Sequence, residues 1–172
     1  MDWYVVDKNY VAYLRSFDSK VGQVEYGDRL KLHIGIIVQI GDFKYYVPVS
    51  SPKQKHERMG NSLDFQKIVD QESGKLYAVI NINNMIPVPD EYITQLKYDQ
   101  ISNHRVFADD KERTDYIFLL QQEKSIIDGL DAVLKDKAKK LYEKFITNPD
   151  SSLARRCCDF TLLQEKSLEY NK

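Results

Sequence analysis

The chain has 172 residues and a mass of 20.2 kDa, which is enough for one well-buried core and too little for two ordinary domains. Hydrophobic residues make up 42% and charged residues 30%, a composition that excludes intrinsic disorder. The net charge of −1 removes whole-chain basicity as an argument for a nucleic-acid partner. We therefore expect a single domain over residues 1–172.

The start of the chain and its cysteines bear on where the protein resides. Residues 1–7 lack the basic start and apolar run of a secretion signal, and no stretch approaches the roughly 20 apolar residues of a membrane span. Cys157 and Cys158 are adjacent, so they are poorly placed to cross-link distant parts of the fold. These features predict a cytoplasmic protein that does not contact a membrane.

The first elements are a short strand and a helix. Residues 3–6 predict the strand, and Asp7 can cap a helix in which Tyr10, Leu14 and Phe17 recur at helical spacing. A loop is predicted over residues 19–30.

The clearest pattern is a β-hairpin around Gly41 and Asp42. Large aliphatic residues occupy every even position from 32 to 40, and alternation resumes over residues 43–49. A two-residue turn gives these pairs: Ile40 with Phe43, Val38 with Tyr45, Ile36 with Val47, Ile34 with Val49, and His33 with Ser50. Because Pro48 cannot donate a ladder hydrogen bond, we expect an edge strand or a bulge there, with residues 50–52 released from regular pairing.

The second half of the chain is mostly helical in pattern. Strands are predicted over residues 76–82 and 85–88, with a break at Asn83 and Asn84. A short helix is predicted over residues 90–101, a long one over about 111–146, and a last element near Phe160. The fold class is therefore α+β, a twisted antiparallel β-sheet with surrounding helices.

One segment, residues 48–56, gathers hydroxyl, cationic and imidazole side chains at the end of a predicted strand. This mixture suits RNA cleavage without a metal, which needs proton transfer and donors that stabilise charge on the phosphate. Ser50 and Ser51 could equally cap a turn set by Pro52, with Lys53 and Lys55 solvated; from composition and spacing alone this is the simpler interpretation. With three scattered histidines and no glycine-rich phosphate loop, we expect no metal and no cofactor.

Motifs spread over nearly the whole chain resemble the ToxN and AbiQ group of type III toxin-antitoxin and phage-abortive-infection ribonucleases. The segment Pro48-Val49-Ser50-Ser51-Pro52-Lys53 resembles the family's Pro-Leu-(Thr/Ser)-Ser-Pro-Lys, and residues 160–166 resemble its closing Phe-(Ser/Thr)-Leu-Leu-x-Glu-Lys. Further matches lie in residues 4–21, 31–40, 80–81 and 85–87. The order and spacing of these pieces together make the resemblance specific.

The resemblance implies a sheet similar to that of the MazF and Kid toxins and a metal-independent endoribonuclease. It implies cleavage of cellular or phage RNA at adenine-rich sites, leaving 2′,3′-cyclic phosphate and 5′-hydroxyl ends. The implied partner is a repeated pseudoknot RNA antitoxin, which the toxin also processes and with which several toxin copies form a closed assembly.

The resemblance also assigns residues. Ser51 matches the family's catalytic serine, Ser50 the hydroxyl beside it, Lys53 the lysine after the proline, and Lys31 the lysine that precedes the strand. We expect both lysines to neutralise the scissile phosphate and both serines to donate hydrogen bonds to it. The expected RNA-binding residues are Tyr10, Tyr26, Lys55, His56, Arg58, Asn61 and Ser62, of which Tyr26 is one residue out of register with the family's tyrosine.

Two alternatives stay open at this point. The chain could be a β-barrel-like module that binds RNA or protein and cleaves nothing, or a nuclease that depends on a metal. The group that accepts the 2′-hydroxyl proton is not identified by the sequence.

Overall fold

A computed structural model describes the backbone of residues 1–22, 25–26 and 29–170, and the side chains of residues 1–22 and 31–170. In these ranges the α-helices are α1 (Lys8–Phe17), α2 (Gln54–Arg58), α3 (Asp110–Gly129), α4 (Asp131–Thr147), α5 (Ser152–Arg156) and α6 (Phe160–Glu169). The strands are β1 (Asp2–Val6), β2 (Glu25–Tyr26), β3 (Arg29–Leu30), β4 (His33–Ile40), β5 (Phe43–Ser50), β6 (Phe65–Val69), β7 (Leu76–Asn81), β8 (Ile86–Pro87) and β9 (Ile93–Gln95).

An antiparallel sheet of seven strands forms the centre of the molecule, in the order β6-β7-β5-β4-β1-β9 with β8 paired to β5. Strands β2 and β3 form a separate pair. Helix α4 packs on β4, α6 on β8, and α3 on β6 and β7. The predicted α+β architecture, a sheet from the first half packed by helices from the second, is therefore confirmed.

The helices form where local chemistry favours them. The Asp7 carboxylate accepts hydrogen bonds from the backbone N–H groups of Asn9 (2.9 Å) and Tyr10 (3.0 Å), which caps α1 as predicted. In α4 the apolar residues Leu134, Ala138 and Leu141 follow helical spacing and are fully buried. Burial of this stripe holds α4 against the sheet.

The hairpin register differs from the prediction beyond its first two pairs. Ile40 pairs with Phe43 and Val38 with Tyr45, as expected, but the register shifts between Gly35 and Val38. Two residues of β4 are thus left out of the pairing, so Ile34 rather than Ile36 lies opposite Val47, and His33 lies opposite Pro48 rather than Ser50. Large aliphatic residues occupy every even position through the bulge, so the sequence gives no sign of it, and the register predicted from the turn alone is wrong on its far side.

Pro48 lies in an interior strand, and the register shift lies in β4 between Gly35 and Val38, which corrects the expectation of an edge or a bulge at the proline. The Val49 N–H donates to the Leu32 carbonyl of the β4 side (3.0 Å), so the missing N–H of Pro48 would point to the opposite side. On that side β5 pairs with β8 at residues 45–46 and with β7 at residues 49–50, and with neither at Pro48. Ser50 is paired with Val79, so only Ser51 and Pro52 are free of the sheet.

Three predictions for other segments were incomplete or wrong. Residues 90–101 form two 3-10 turns around the edge strand β9 instead of one helix. The long helix is two helices, because α3 ends at Gly129 and α4 begins at Asp131. Strand β6 was not predicted, since its residues alternate weakly. No helix in the described part of the chain is long and apolar enough to cross a membrane.

We expect Gly35→Ala to destabilise the fold. Gly35 lies opposite Tyr46, and a Cβ added there would overlap the Tyr46 ring. Because the ring is buried and cannot move freely, the free energy of unfolding in urea should fall by about 1–3 kcal/mol. Gly129→Ala is the matched control, since a Cβ at that position meets nothing within 4 Å. Equal stability of the Gly35→Ala variant and the wild type would contradict this account of the bulge.

Candidate active site

Two distant segments meet at the open end of the β4–β5 hairpin. Lys31 precedes β4 and Ser50 ends β5, and the Lys31 ammonium donates a hydrogen bond to Ser50 Oγ although the residues are 19 positions apart. The backbone bond between Val49 and Leu32 holds the two segments in register beside this contact. Ser51 follows directly and is exposed to solvent. A lysine and two hydroxyls are thus brought together as predicted.

The second lysine lies near the first. Burial lowers the pKa of Lys31 to about 8, and the positive charge of Lys53 lowers it as well. Neither ammonium forms a salt bridge with a residue in the described ranges. An anion bound between them would relieve their repulsion. We call Lys31, Ser50, Ser51 and Lys53 the serine-lysine cluster.

His56 was predicted to bind RNA, but the structure shows it buried, where it positions the backbone of Lys53. Its Nδ1 accepts a hydrogen bond from the Lys53 backbone N–H (3.0 Å), and the His56 backbone N–H donates to the Lys53 carbonyl (2.7 Å). The ring is only 6% exposed and packs against Phe65. Burial, Lys55, Lys53 and Lys67 all lower the pKa of His56, so the ring is neutral and fixes the start of α2.

The two tyrosines predicted to bind RNA have different outcomes. Tyr10 is fully buried, donates a hydrogen bond to the Pro87 carbonyl (2.7 Å), and stacks on Tyr92 with ring centroids 5.0 Å apart. With no exposed surface it cannot contact RNA, so that prediction is wrong; the tyrosine serves the core. Tyr26 lies outside the residues whose side chains are described.

The other four predicted RNA-binding residues are exposed and lie on one stretch of surface. Lys55 and Arg58 belong to α2, and Asn61 and Ser62 follow it. Asn61 Oδ1 accepts a hydrogen bond from the Lys67 N–H (2.8 Å), and both residues line a groove between β6 and α3. In the chain these residues follow Lys53, and Asn61 is the one that lines the groove. Contact of these residues with RNA stays a prediction.

His33 is buried close to Lys31. Its Nδ1 has no hydrogen-bond partner, and burial together with the Lys31 charge lowers the pKa of the ring to about 3. A neutral imidazole with so low a pKa cannot donate a proton near pH 7. The described part of the chain contains no group of at least three histidine, cysteine or acidic side chains that could hold a metal ion.

Glu123 is a residue of the site that sequence reasoning missed. It lines a small cavity next to the serine-lysine cluster, together with Trp3, Leu32, Val49, Ser50, Ser51, Tyr116, Leu119 and Leu120. Glu123 is 7% exposed, and burial raises the pKa of its carboxyl to about 7. A signal was present: Leu120, Glu123 and Ile127 share one helical face, so an acidic residue interrupts the buried stripe of α3.

The position of α3 over this cavity is fixed by a contact with β1. The Trp3 indole N–H donates a hydrogen bond to the Leu120 carbonyl (3.2 Å). No hydrogen bond or ion pair joins the Glu123 side chain to any other residue in the described ranges, and burial alone shifts its pKa. The Glu123 carboxyl, which has no protein partner in the described ranges, thus lines the same cavity as Ser50 and Ser51.

Comparison with known proteins points to one family. The family described as "Toxin ToxN, type III toxin-antitoxin system" matches residues 2–168. The chain is 26% identical over 180 residues to Endoribonuclease AbiQ of Lactococcus lactis subsp. lactis, covering 99% of this chain and 89% of the relative. It is 26% identical over 175 residues to Endoribonuclease ToxN of Bacillus thuringiensis subsp. kurstaki, covering 99% and 84%.

A solved structure shares the fold. It comes from work on selective toxin inhibition by a non-coding RNA pseudoknot in bacterial type III toxin-antitoxin systems. Its TM-score is 0.81 at 25% identity, and the match covers 98% of this chain and 96% of that chain. The likeness to MazF and Kid, which the sequence implied, stays a prediction.

We expect Glu123→Gln to stabilise the protein more at pH 8 than at pH 5. The pKa of Glu123 is about 7 in the fold against 4.5 ordinarily, so the folded state must ionise a buried carboxyl as the pH rises while the unfolded chain ionises it freely. Wild-type stability is therefore lost with rising pH, and the gap between variant and wild type in urea unfolding should grow by roughly 2 kcal/mol. The exposed Glu143→Gln is the control. A gap that does not change with pH would contradict burial of an unpartnered carboxyl.

Proposed function

The chain belongs to the ToxN family of type III toxin-antitoxin toxins and is an endoribonuclease, and we propose that it cuts RNA by attack of a ribose 2′-hydroxyl on the adjacent phosphate. The observation that carries this chemistry is the serine-lysine cluster. Two ammonium groups without a salt bridge among the described residues lie near two serine hydroxyls at the open end of the hairpin, and exposed polar residues follow them in the chain. Such a site fits a phosphodiester and needs no bound metal.

The reaction that we propose conserves every atom of the RNA. The 2′-oxygen forms a bond to phosphorus, the bond from phosphorus to the 5′-oxygen breaks, and the proton lost by the 2′-hydroxyl is balanced by one gained by the 5′-oxygen. The products are a 2′,3′-cyclic phosphate and a 5′-hydroxyl. Charge builds up on the non-bridging oxygens in the transition state, so donors aimed at them lower the barrier.

Each member of the cluster has a proposed part in this reaction. Lys31 and Lys53 neutralise the phosphate, and Ser51 and Ser50 donate hydrogen bonds to its oxygens. The Lys31 ammonium already contacts the Ser50 hydroxyl, so the two donors are positioned before RNA binds. His56 keeps Lys53 in place through its backbone. Lys55, Arg58, Asn61 and Ser62 then guide the strand by contacts with its sugar-phosphate backbone.

The partner follows from the family. We propose that a repeated RNA antitoxin, folded as a pseudoknot, occupies the same surface and inhibits the toxin, which also processes the repeat. Toxin copies and RNA would form a closed assembly in the cytoplasm, where cellular or phage RNA is the substrate once the toxin is released. Support comes from the solved structure that shares this fold, whose toxin is inhibited by a non-coding RNA pseudoknot. Cleavage at adenine-rich sites belongs to the same proposal.

We expect Ser51→Ala to lower the rate of RNA cleavage by at least about 100-fold, as for other losses of one transition-state donor. Binding of the antitoxin RNA and the melting temperature should change little, because Ser51 is exposed and lies outside the sheet. Cleavage is followed on end-labelled RNA, with product ends identified by mass spectrometry and a chelator present throughout. The exposed Ser102→Ala is the control. Unchanged cleavage by Ser51→Ala would remove the proposed site, and loss of cleavage in chelator would favour a metal-dependent nuclease.

A charge variant tests contact with the phosphate. In the Ser51→Ala background, which keeps the RNA intact, Lys53→Met should weaken binding and reduce the slope of log Kd against log salt by about 0.7 for a single-stranded RNA. Lys97→Met, an exposed lysine before the 3-10 turn at residues 98–103, should leave the slope unchanged. Equal slopes for both variants would show that Lys53 does not contact the RNA backbone.

A further inference from the structure

The cavity beside the serine-lysine cluster has walls unlike those of the cluster itself. Besides Ser50 and Ser51, it is lined by the aromatic rings of Trp3 and Tyr116, by aliphatic side chains and by one carboxyl, that of Glu123. Aromatic and aliphatic walls interrupted by a few polar groups, here hydroxyls and one carboxyl, are typical of a site that takes a planar ring and orients it by hydrogen bonds. A phosphate would not leave water and two lysines for such walls.

The Glu123 carboxyl is separate from the cationic side of the site. Burial is the cause of its raised pKa, and neither Lys31 nor Lys53 contributes to the shift, whereas the carboxyl does raise the pKa of Tyr116. The carboxyl therefore faces Tyr116 and the cavity and is not paired with the lysines. Ser50 and Ser51 belong both to the serine-lysine cluster and to the lining of this cavity, so the base of a nucleotide whose phosphate lies at the cluster is next to the cavity.

The chemistry of the carboxyl matches the edge of a base. A protonated carboxyl presents one donor and one acceptor side by side, and an ionised one presents two acceptors. Every RNA base carries adjacent hydrogen-bonding groups on its edge, and flat faces that pack on aromatic rings. The cavity volume of about 70 Å³ admits the edge of a ring and not a whole nucleotide.

We propose that this cavity is a base-recognition subsite, in which one RNA base next to the scissile phosphate inserts its edge between α3 and the hairpin and hydrogen-bonds to Glu123. The inference rests on the proposed function, because it places the base by the phosphate at the serine-lysine cluster. Glu123 is then a specificity residue, and its lack of a protein partner leaves both oxygens available to the base.

Chimeric oligonucleotides test this directly. Each contains one ribonucleotide in a DNA strand, so that cleavage can occur only at that 2′-hydroxyl, and the base is varied there and at the next position. The value of kcat/KM is measured for the wild type, Glu123→Gln, Glu123→Leu and the control Glu143→Leu. At one of the two positions the wild type should prefer one base over the poorest by about 10- to 100-fold, the range of one good two-point contact with a base.

The two Glu123 variants should then differ in their base preference. Glu123→Leu should reduce the preference to under about 3-fold, since it removes a contact of that strength. Glu123→Gln should keep a preference for one base, because an amide still offers a donor and an acceptor. A preference retained by Glu123→Leu would overturn the proposal, and so would an equal loss for all four bases in both variants, which would make the carboxyl a proton-transfer group.

A second variant guards against misfolding of Glu123→Leu. Leu119 is half-buried at the cavity, so Leu119→Trp narrows it while leaving the carboxyl in place. It should lower kcat/KM most for the preferred base, and a uniform effect on all bases would contradict the subsite. A failure of the proposed function would be distinguishable, because the wild type would then cleave none of the oligonucleotides. The subsite alone fails when the wild type cleaves them and Glu123→Leu keeps the same base preference.

Discussion

The site depends on the pairing of β4 with β5 at its open end. The hydrogen bond from Val49 N–H to the Leu32 carbonyl brings the segment before β4 next to the end of β5, and the contact of Lys31 with Ser50 follows from it. Lysines that repel each other would separate if they stood on mobile loops. They are held near each other because one precedes a buried strand and the other is fixed through the backbone by His56.

The sequence predicted those parts of the fold that have a strong local pattern. The Asp7 cap and the hairpin turn depend on neighbouring residues, and the structure has them where we expected them. The hairpin register failed because a bulge depends on what lies opposite, here the Tyr46 ring against Gly35, and this is not a local property. Strand β9 was read as helix because its short edge pairing with β1 comes from a residue range far away in sequence.

The site was predictable to the extent that its residues lie in one motif or in the family pattern. Ser50, Ser51 and Lys53 are contiguous, and Lys31 was joined to them by resemblance and not by spacing. Tyr10 shows the limit of that reasoning, since matching a family position does not decide whether a hydroxyl faces RNA or the carbonyl of Pro87. Glu123 was missed because a helix of a later segment brings it to the hairpin, and tertiary packing alone sets that position.

Pro48 gives β5 a property that a strand with a complete set of amides would not have. Before the proline β5 pairs with β8, and after it β5 pairs with β7. The strand therefore changes partners at a residue that has no backbone N–H to leave unsatisfied. Residues 45–49 can therefore remain buried, while the chain reaches solvent at Ser51, three residues after the proline. Because the proline ring occupies the backbone nitrogen, a single strand can contribute both to the buried core and to the solvent-exposed active site.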